Sequence, residues 1–129
     1  MVRRGKDVTK AELAVLQVLW KGGEPSIRSL ADVLYPGGAA SDYATVQKLL
    51  ARLEKKGFVT RRREGGRNLY AAALDRDDLI ARRLQETAES LCEGSLTPLL
   101  TNLVRANRLS SEERLRLRQL MDELEERED

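Results

Sequence analysis

A chain of 129 residues is long enough for one compact domain, or for one small domain with an appendage. Apolar residues make up 41% of the chain and charged residues 34%, a composition typical of a globular rather than a disordered protein. The absence of histidine excludes histidine-based catalysis and histidine-ligated metal, and a single cysteine, Cys92, excludes an internal disulfide and a multi-cysteine metal site.

Targeting signals are not expected either. No apolar run approaches the roughly 20 residues that span a bilayer, and the basic N-terminus has no apolar stretch behind it like that of a signal peptide. A cytoplasmic location is therefore expected, since a reducing compartment also suits a chain with one cysteine.

The charge of the chain is divided unequally between its two parts. The net charge is +2, but residues 1–74 hold 14 basic and 7 acidic residues, whereas residues 75–129 hold 9 basic and 14 acidic residues. All five aromatic residues also lie in the first part. Composition therefore predicts a domain boundary near residue 75.

Helix signals begin at Thr9. Thr9 and Glu12 have the spacing of a capping box, and apolar residues then recur at helical intervals as far as Gly22-Gly23. Ser26 can cap a second helix before Tyr35-Pro36-Gly37-Gly38 breaks it. The expected apolar side of this second helix consists of Ile27, Leu30, Val33 and Leu34.

A third helix is predicted from about Ser41 or Asp42 to Lys56, followed by Gly57 as a C-terminal cap. At about 100° per residue, Leu49, Leu50 and Leu53 fall within about 60° of Val46 and form its buried side. The opposite side contains no acid and consists of Ser41, Ala44, Thr45, Lys48, Ala51, Arg52 and Lys55, with Gln47 beside it. Such a face can enter a DNA groove, although many helices present a charged face only to water.

The pattern next changes to that of a β-hairpin. Residues 58–63 and 68–74 read as two strands, and Glu64-Gly65-Gly66-Arg67 reads as the turn between them. Four arginines surround this turn: Arg61, Arg62, Arg63 and Arg67. A cationic hairpin after a helix-turn-helix is suited to gripping phosphates, and the alternative is an edge strand that charge protects from aggregation.

Residues 79–124 are predicted to form three helices, separated at Gly94-Ser95 and before the capping box of Ser110 and Glu113. Residues 75–129 contain 15 aliphatic Leu, Ile, Val and Met residues and no aromatic residue, too little apolar surface for an independent domain. We therefore expect a homodimer, with Leu99, Leu100, Leu103, Leu117 and Leu120 in its interface. The alternative is a monomeric helical cap.

Four segments resemble one family. Residues 9–20, TKAELAVLQVLW, are similar to the opening helix of the penicillinase-repressor (BlaI/MecI/CopY) family, and residues 43–57, YATVQKLLARLEKKG, are similar to its recognition helix. Residues 66–71, GRNLYA, resemble the return strand of its wing, and residues 94–100, GSLTPLL, its C-terminal helical region.

The resemblance implies a mainly α fold. A winged helix-turn-helix DNA-binding domain with a small β-hairpin wing occupies residues 1–74, and a three-helix dimerisation domain occupies residues 75–129. The family implies a repressor that binds a palindromic operator as a homodimer. The lack of histidine and the single cysteine predict that it uses no cofactor and no metal.

The resemblance also implies roles for individual residues. Ala44, Thr45, Gln47 and Lys48 match positions that face the major groove, and Arg52 and Arg67 match backbone or wing contacts. Tyr43 stands where many members have proline. Together with Ser41, Tyr43 and Arg63, these residues form the predicted DNA-binding set.

Two features concern branches of the family. The copper-responsive branch uses several C-terminal cysteines for metal, so Cys92 alone does not imply metal sensing. Cys92 is interpreted either as a packed side chain or as an oxidation sensor. In the β-lactam-responsive branch, a membrane sensor protease cuts after an asparagine, and Asn102–Leu103 resembles that bond although Leu103 replaces the usual phenylalanine.

The sequence thus predicts a DNA-binding transcriptional repressor without catalytic activity. No Gly-Gly pair is followed by the Lys-Ser/Thr of a phosphate loop. Two alternatives remain: a winged-helix regulator of another family with an effector pocket, and a winged-helix module that binds an acidic protein.

Overall fold

The computed structural model describes residues 7–128. Their elements follow the predicted order. They are α1 (Lys10–Trp20), α2 (Ile27–Leu34), α3 (Ala40–Lys56), β1 (Val59–Glu64), β2 (Arg67–Ala72), α4 (Arg76–Leu91), α5 (Thr97–Arg105) and α6 (Ser111–Glu128).

The caps predicted from the sequence are present. The Thr9 hydroxyl accepts the amide of Glu12, and the Glu12 carboxylate accepts the amide of Thr9, so the capping box at α1 is complete. Ser26 caps α2 by accepting the amide of Ser29. Ser110 and Glu113 form the same reciprocal pair at the start of α6.

Several element boundaries differ slightly from prediction. Helix α3 begins at Ala40, one residue early, because the carboxylate of Asp42 accepts the amide of Ala39 at 2.9 Å and caps the helix from inside its first turn. Strand β1 ends at Glu64 and strand β2 begins at Arg67. The turn between them therefore consists of Gly65 and Gly66 alone. Both glycines have positive φ, +60° and +80°, as a type I′ turn requires.

The hairpin is antiparallel, with Arg61 opposite Tyr70 and Glu64 opposite Arg67. Its base joins the helical core through Phe58, Val59 and Tyr70, which are buried with leucines of α1 and α3. The amide of Tyr70 also donates to the carbonyl of Pro25 at 3.0 Å. Hydrogen bonding and burial therefore fix β2 beside the loop that precedes α2.

One expected core residue lies outside the core. Val33 is exposed, whereas Ile27, Leu30 and Ala31 of the same helix are buried. At 100° per residue, Leu30 and Ala31 lie on either side of Ile27 and close to it. Val33 lies farther round the helix, about 120° from Ile27. The apolar stripe of α2 therefore excludes Val33.

The described chain divides into two compact units, one up to Ala81 and one from Arg82. The buried cluster lies in the first unit and reaches Leu79 of α4. In the second unit Ala88 is buried, but α5 and α6 contain no buried residue. The division into functional domains at residue 75 stays a prediction, because α4 continues past Ala81 without a break.

Candidate nucleic-acid interface

Helix α3 buries one side and exposes the other. Val46, Leu49, Leu50 and Leu53 lie in the core. The residues of α3 in the predicted DNA-binding set are all exposed: Ser41, Tyr43, Ala44, Thr45, Gln47, Lys48 and Arg52. This orientation follows from the spacing of the four apolar residues, and it leaves the polar side open to a partner.

The exposed side of α3 carries positive charge that no acid neutralises. Lys48, Arg52 and Lys55 are spaced along this side, and within residues 7–128 none of them forms an ion pair. The two acids of α3 are occupied elsewhere, since Asp42 caps the helix and Glu54 binds Arg61 at 3.0 Å. Phosphate groups are the partners that such unpaired cations favour.

Smaller side chains on this side allow close approach. Ala44 offers only a methyl group. The hydroxyl of Thr45 donates to the carbonyl of Ser41 at 3.0 Å, so the Thr45 methyl group and its oxygen lone pairs are left for a partner. The amide of Gln47 is exposed and can both donate and accept. This mixture suits the base edges of the major groove.

A buried ion pair holds the end of α3 against the start of α1. The ammonium of Lys56 lies 2.8 and 2.9 Å from the carboxylate oxygens of Glu12, which is fully buried. The same ammonium donates to the carbonyl of Asp7 at 2.7 Å. Sequence reasoning identified Glu12 as a capping residue and missed its bond to Lys56, because nothing in either local pattern links positions 44 residues apart.

The four hairpin arginines have different partners in the structure. Arg61 is paired with Glu54 of α3, and Arg62 with Glu24 and Glu64. Arg63 donates to the carbonyl of Gly66 at 3.3 Å, within its own turn. Arg67 is exposed and has no ion pair among the residues that the structure describes. Exposed unpaired cations are therefore found at the tip of the hairpin, at Arg63 and Arg67.

The residues predicted for the dimer interface are largely uncovered. Leu100, Leu103, Leu117 and Leu120 are between 41% and 58% exposed, and Leu99 is half-buried. Cys92 is a free, half-buried cysteine. The Asn102–Leu103 bond lies within α5, where the Asn102 amide donates to the Pro98 carbonyl at 2.8 Å. Cleavage at this bond stays a prediction.

Neither a candidate metal site nor a membrane-spanning helix is found within residues 7–128. No group of three or more acidic or cysteine side chains is placed to hold a metal ion. No helix is both long and apolar enough to cross a membrane.

Comparison with known proteins identifies the family. The model of the penicillinase repressor family matches residues 8–123. An uncharacterised 16.5 kDa protein of Latilactobacillus sakei is 31% identical over 121 residues, which cover 94% of this chain and 82% of that protein. The penicillinase repressor of Bacillus licheniformis is 28% identical over 116 residues, 90% of each chain.

Among solved structures, the DNA-binding domain of the repressor BlaI is 26% identical, with a TM-score of 0.48. The match covers 60% of this chain and 93% of that domain. The family match, which takes in nearly the whole sequence, confirms the resemblance and the predicted fold class. The chain belongs to the penicillinase repressor family of winged helix-turn-helix, DNA-binding transcription regulators.

Proposed function

We propose that this protein is a sequence-specific repressor that binds a palindromic operator as a homodimer. In this proposal α3 lies in the major groove, and Thr45, Gln47 and Lys48 contact base edges. Arg52 on α3, with Arg63 and Arg67 at the hairpin tip, contacts phosphates. The observation that carries the proposal is the exposed side of α3. It combines small and polar side chains with three cations that form no ion pair within residues 7–128.

The dimer part of the proposal is supported by the second unit. Helices α5 and α6 bury none of their residues, and several of their large apolar leucines are exposed. A second copy of the chain would cover this apolar surface. A twofold dimer would also place two α3 helices about one turn of DNA apart, roughly 34–36 Å, and so match a palindrome. Release from the operator by cleavage at Asn102–Leu103 rests on the family resemblance alone.

The first prediction separates base contacts from phosphate contacts. We expect Lys48→Ala to weaken operator binding by about 1–3 kcal/mol and to alter the preferred base at one position of each half-site. Arg67→Ala should weaken binding to all sequences alike, and should lower the salt dependence by about 1 unit for each subunit. The measurements are selection from a random DNA pool and titration over a range of salt concentrations.

Arg116→Ala is the matched control, because it removes the same charge from an exposed position on α6. If Lys48→Ala and Arg67→Ala both bind the operator like the wild type, the proposed orientation on DNA is wrong. A protein-interaction module would bind operator and random DNA equally, whereas the proposed repressor should prefer the operator by about 10³-fold or more.

A further inference from the structure

The arginines of the hairpin divide into two kinds. Arg61 and Arg62 are each bound to a carboxylate from another element, Glu54 of α3 and Glu24 of the loop before α2. Arg63 and Arg67, at the tip, have no acidic partner among residues 7–128. Arg61 and Arg62 are consecutive residues of β1, and consecutive side chains of a strand point to opposite sides. The two arginines therefore reach different glutamates.

The positions of the two glutamates are fixed by the fold. Glu24 precedes Pro25, whose carbonyl accepts the amide of Tyr70 in β2. Glu54 lies between the core residue Leu53 and the C-terminal turn of α3, which leads into β1. Both carboxylates are therefore held beside the base of the hairpin, each within reach of one arginine.

The charge at the tip of the hairpin depends on the partners of Arg62. Glu64 lies directly opposite Arg67 in the hairpin register. Its carboxylate nevertheless binds Arg62, at 2.9 Å, rather than Arg67. Arg62 thus binds both nearby acids, and the hydrogen bonds that it donates, first to Glu24 and second to Glu64, raise its pKa further above the usual value for arginine. Arg67 is left without a partner.

Ion pairing changes what an arginine contributes to DNA binding. Counterion release depends on the number of phosphates that the protein neutralises. A guanidinium already bound to a carboxylate adds no net positive charge. If it leaves the carboxylate for a phosphate, the abandoned carboxylate repels the same DNA. In either case the pair contributes little to binding that does not depend on sequence.

We propose that Glu24 and Glu54 are specificity-determining residues, which hold Arg61 and Arg62 in intramolecular pairs and confine the phosphate contacts of the hairpin to Arg63 and Arg67. The two glutamates lower the affinity for DNA of arbitrary sequence and leave the base contacts of α3 unchanged. The ratio of specific to non-specific binding is higher as a result. This inference rests on the proposed DNA-binding function.

The test uses the full-length protein and a random-sequence duplex, with binding measured over a range of salt concentrations. Glu54→Gln should steepen the slope of log affinity against log salt by about 0.9 for each subunit, one phosphate contact. Glu24→Gln should steepen it less, because Arg62 keeps its ion pair with Glu64. The double variant should show the sum of both changes. Affinity for random DNA should rise more than affinity for the operator.

The control for charge alone is Asp32→Asn. Asp32 is an exposed acid on α2 without an ion pair in the described part of the chain, so its removal changes the net charge equally but frees no arginine. Asp32→Asn should therefore leave the slope close to that of the wild type. Thermal unfolding of each variant checks that the fold is retained.

The arginines give an independent measurement. In the wild-type background Arg61→Gln should leave the slope unchanged, because Arg61 is paired with Glu54 alone among the described residues. Arg63→Gln should reduce the slope by about 0.9 for each subunit. In the Glu54→Gln background, Arg61→Gln should cancel the gain.

Two results would overturn the inference alone. The first is an equal loss of slope in Arg61→Gln and Arg63→Gln. The second is a double glutamine variant that matches Asp32→Asn. A wild type that binds no duplex would instead overturn the proposed function, and this inference with it.

Discussion

At the scale of single residues, Glu12 is held by hydrogen bonds and by an ion pair. It is fully buried, accepts the amide of Thr9 at 2.9 Å and binds the ammonium of Lys56. Burial by itself would raise the pKa of this carboxyl group. The hydrogen bonds from Lys56 and Thr9, with the nearby positive charge, outweigh burial and lower the pKa below its usual value.

This lowered pKa makes stability depend on pH. A carboxyl group with a lower pKa in the folded state than in the unfolded state stabilises the fold above the unfolded pKa. That contribution is lost as the pH falls from about 4.5 through the folded value. We expect the free energy of unfolding to fall over this acidic range, and to do so less in Glu12→Gln. Urea unfolding at several pH values measures this difference.

At neutral pH, Glu12→Gln should lower the free energy of unfolding by about 2–3 kcal/mol. The loss is moderate because Lys56 is 17% exposed and keeps its bond to the Asp7 carbonyl. Glu113→Gln is the control, since Glu113 occupies the same capping position on α6 but is exposed and has no lysine partner. Equal losses in the two variants would contradict a special contribution from the Lys56 pair.

At the scale of elements, the hairpin depends on its two-residue turn. Gly65 and Gly66 have φ of +60° and +80°, a region that β-branched residues enter only with strain. The right-handed twist of the two strands requires this kind of turn. The sequence indicated the turn correctly, because adjacent glycines between two short strands are a strong local signal.

A substitution in this turn should disturb the hairpin and leave α3 intact. Gly66→Val should lower the free energy of unfolding by about 1–2 kcal/mol and weaken DNA binding, without altering the preferred bases. Gly65→Asn should be close to neutral, because Asn-Gly is a favoured pair in type I′ turns. Thermal unfolding and DNA selection measure both effects. A changed base preference in Gly66→Val would show that the hairpin, and not only α3, reads sequence.

At the scale of the whole molecule, the proposed dimer would cover the exposed leucines of α5 and α6. These helices contain apolar residues at helical spacing but bury none of them within one chain. An isolated helix of 9 residues, the length of α5, is marginal in water without packing. A second copy would supply that packing, and folding and association would then be coupled.

The proposed dimer predicts that assembly depends on protein concentration. We expect sedimentation to show a dimer at low micromolar concentration, and the melting temperature to rise with protein concentration. Leu103→Glu combined with Leu120→Glu should shift the protein to monomer and weaken operator binding. Val33→Glu, at an exposed apolar position on α2, should do neither. A wild type that sediments only as a monomer would refute the dimer.

Local features of this protein could be read from its sequence. The capping boxes at Thr9 and Ser110, the buried side of α3 and the glycine turn each depend on residues a few positions apart, and steric and hydrogen-bonding rules act directly at that range. The exposed side of α3 could also be predicted from the sequence, because burial of the four apolar residues of this helix fixes its rotation about its own axis. The family resemblance depended on the same local patterns.

The charge pairing could not be read in this way. Glu12 meets Lys56, and Glu24 meets Arg62, across 44 and 38 positions of sequence. These contacts exist only after the helices and the hairpin have packed on one core. Four hairpin arginines with the same local pattern therefore acquire different partners, and the folded arrangement alone determines which of their charges stay available to DNA.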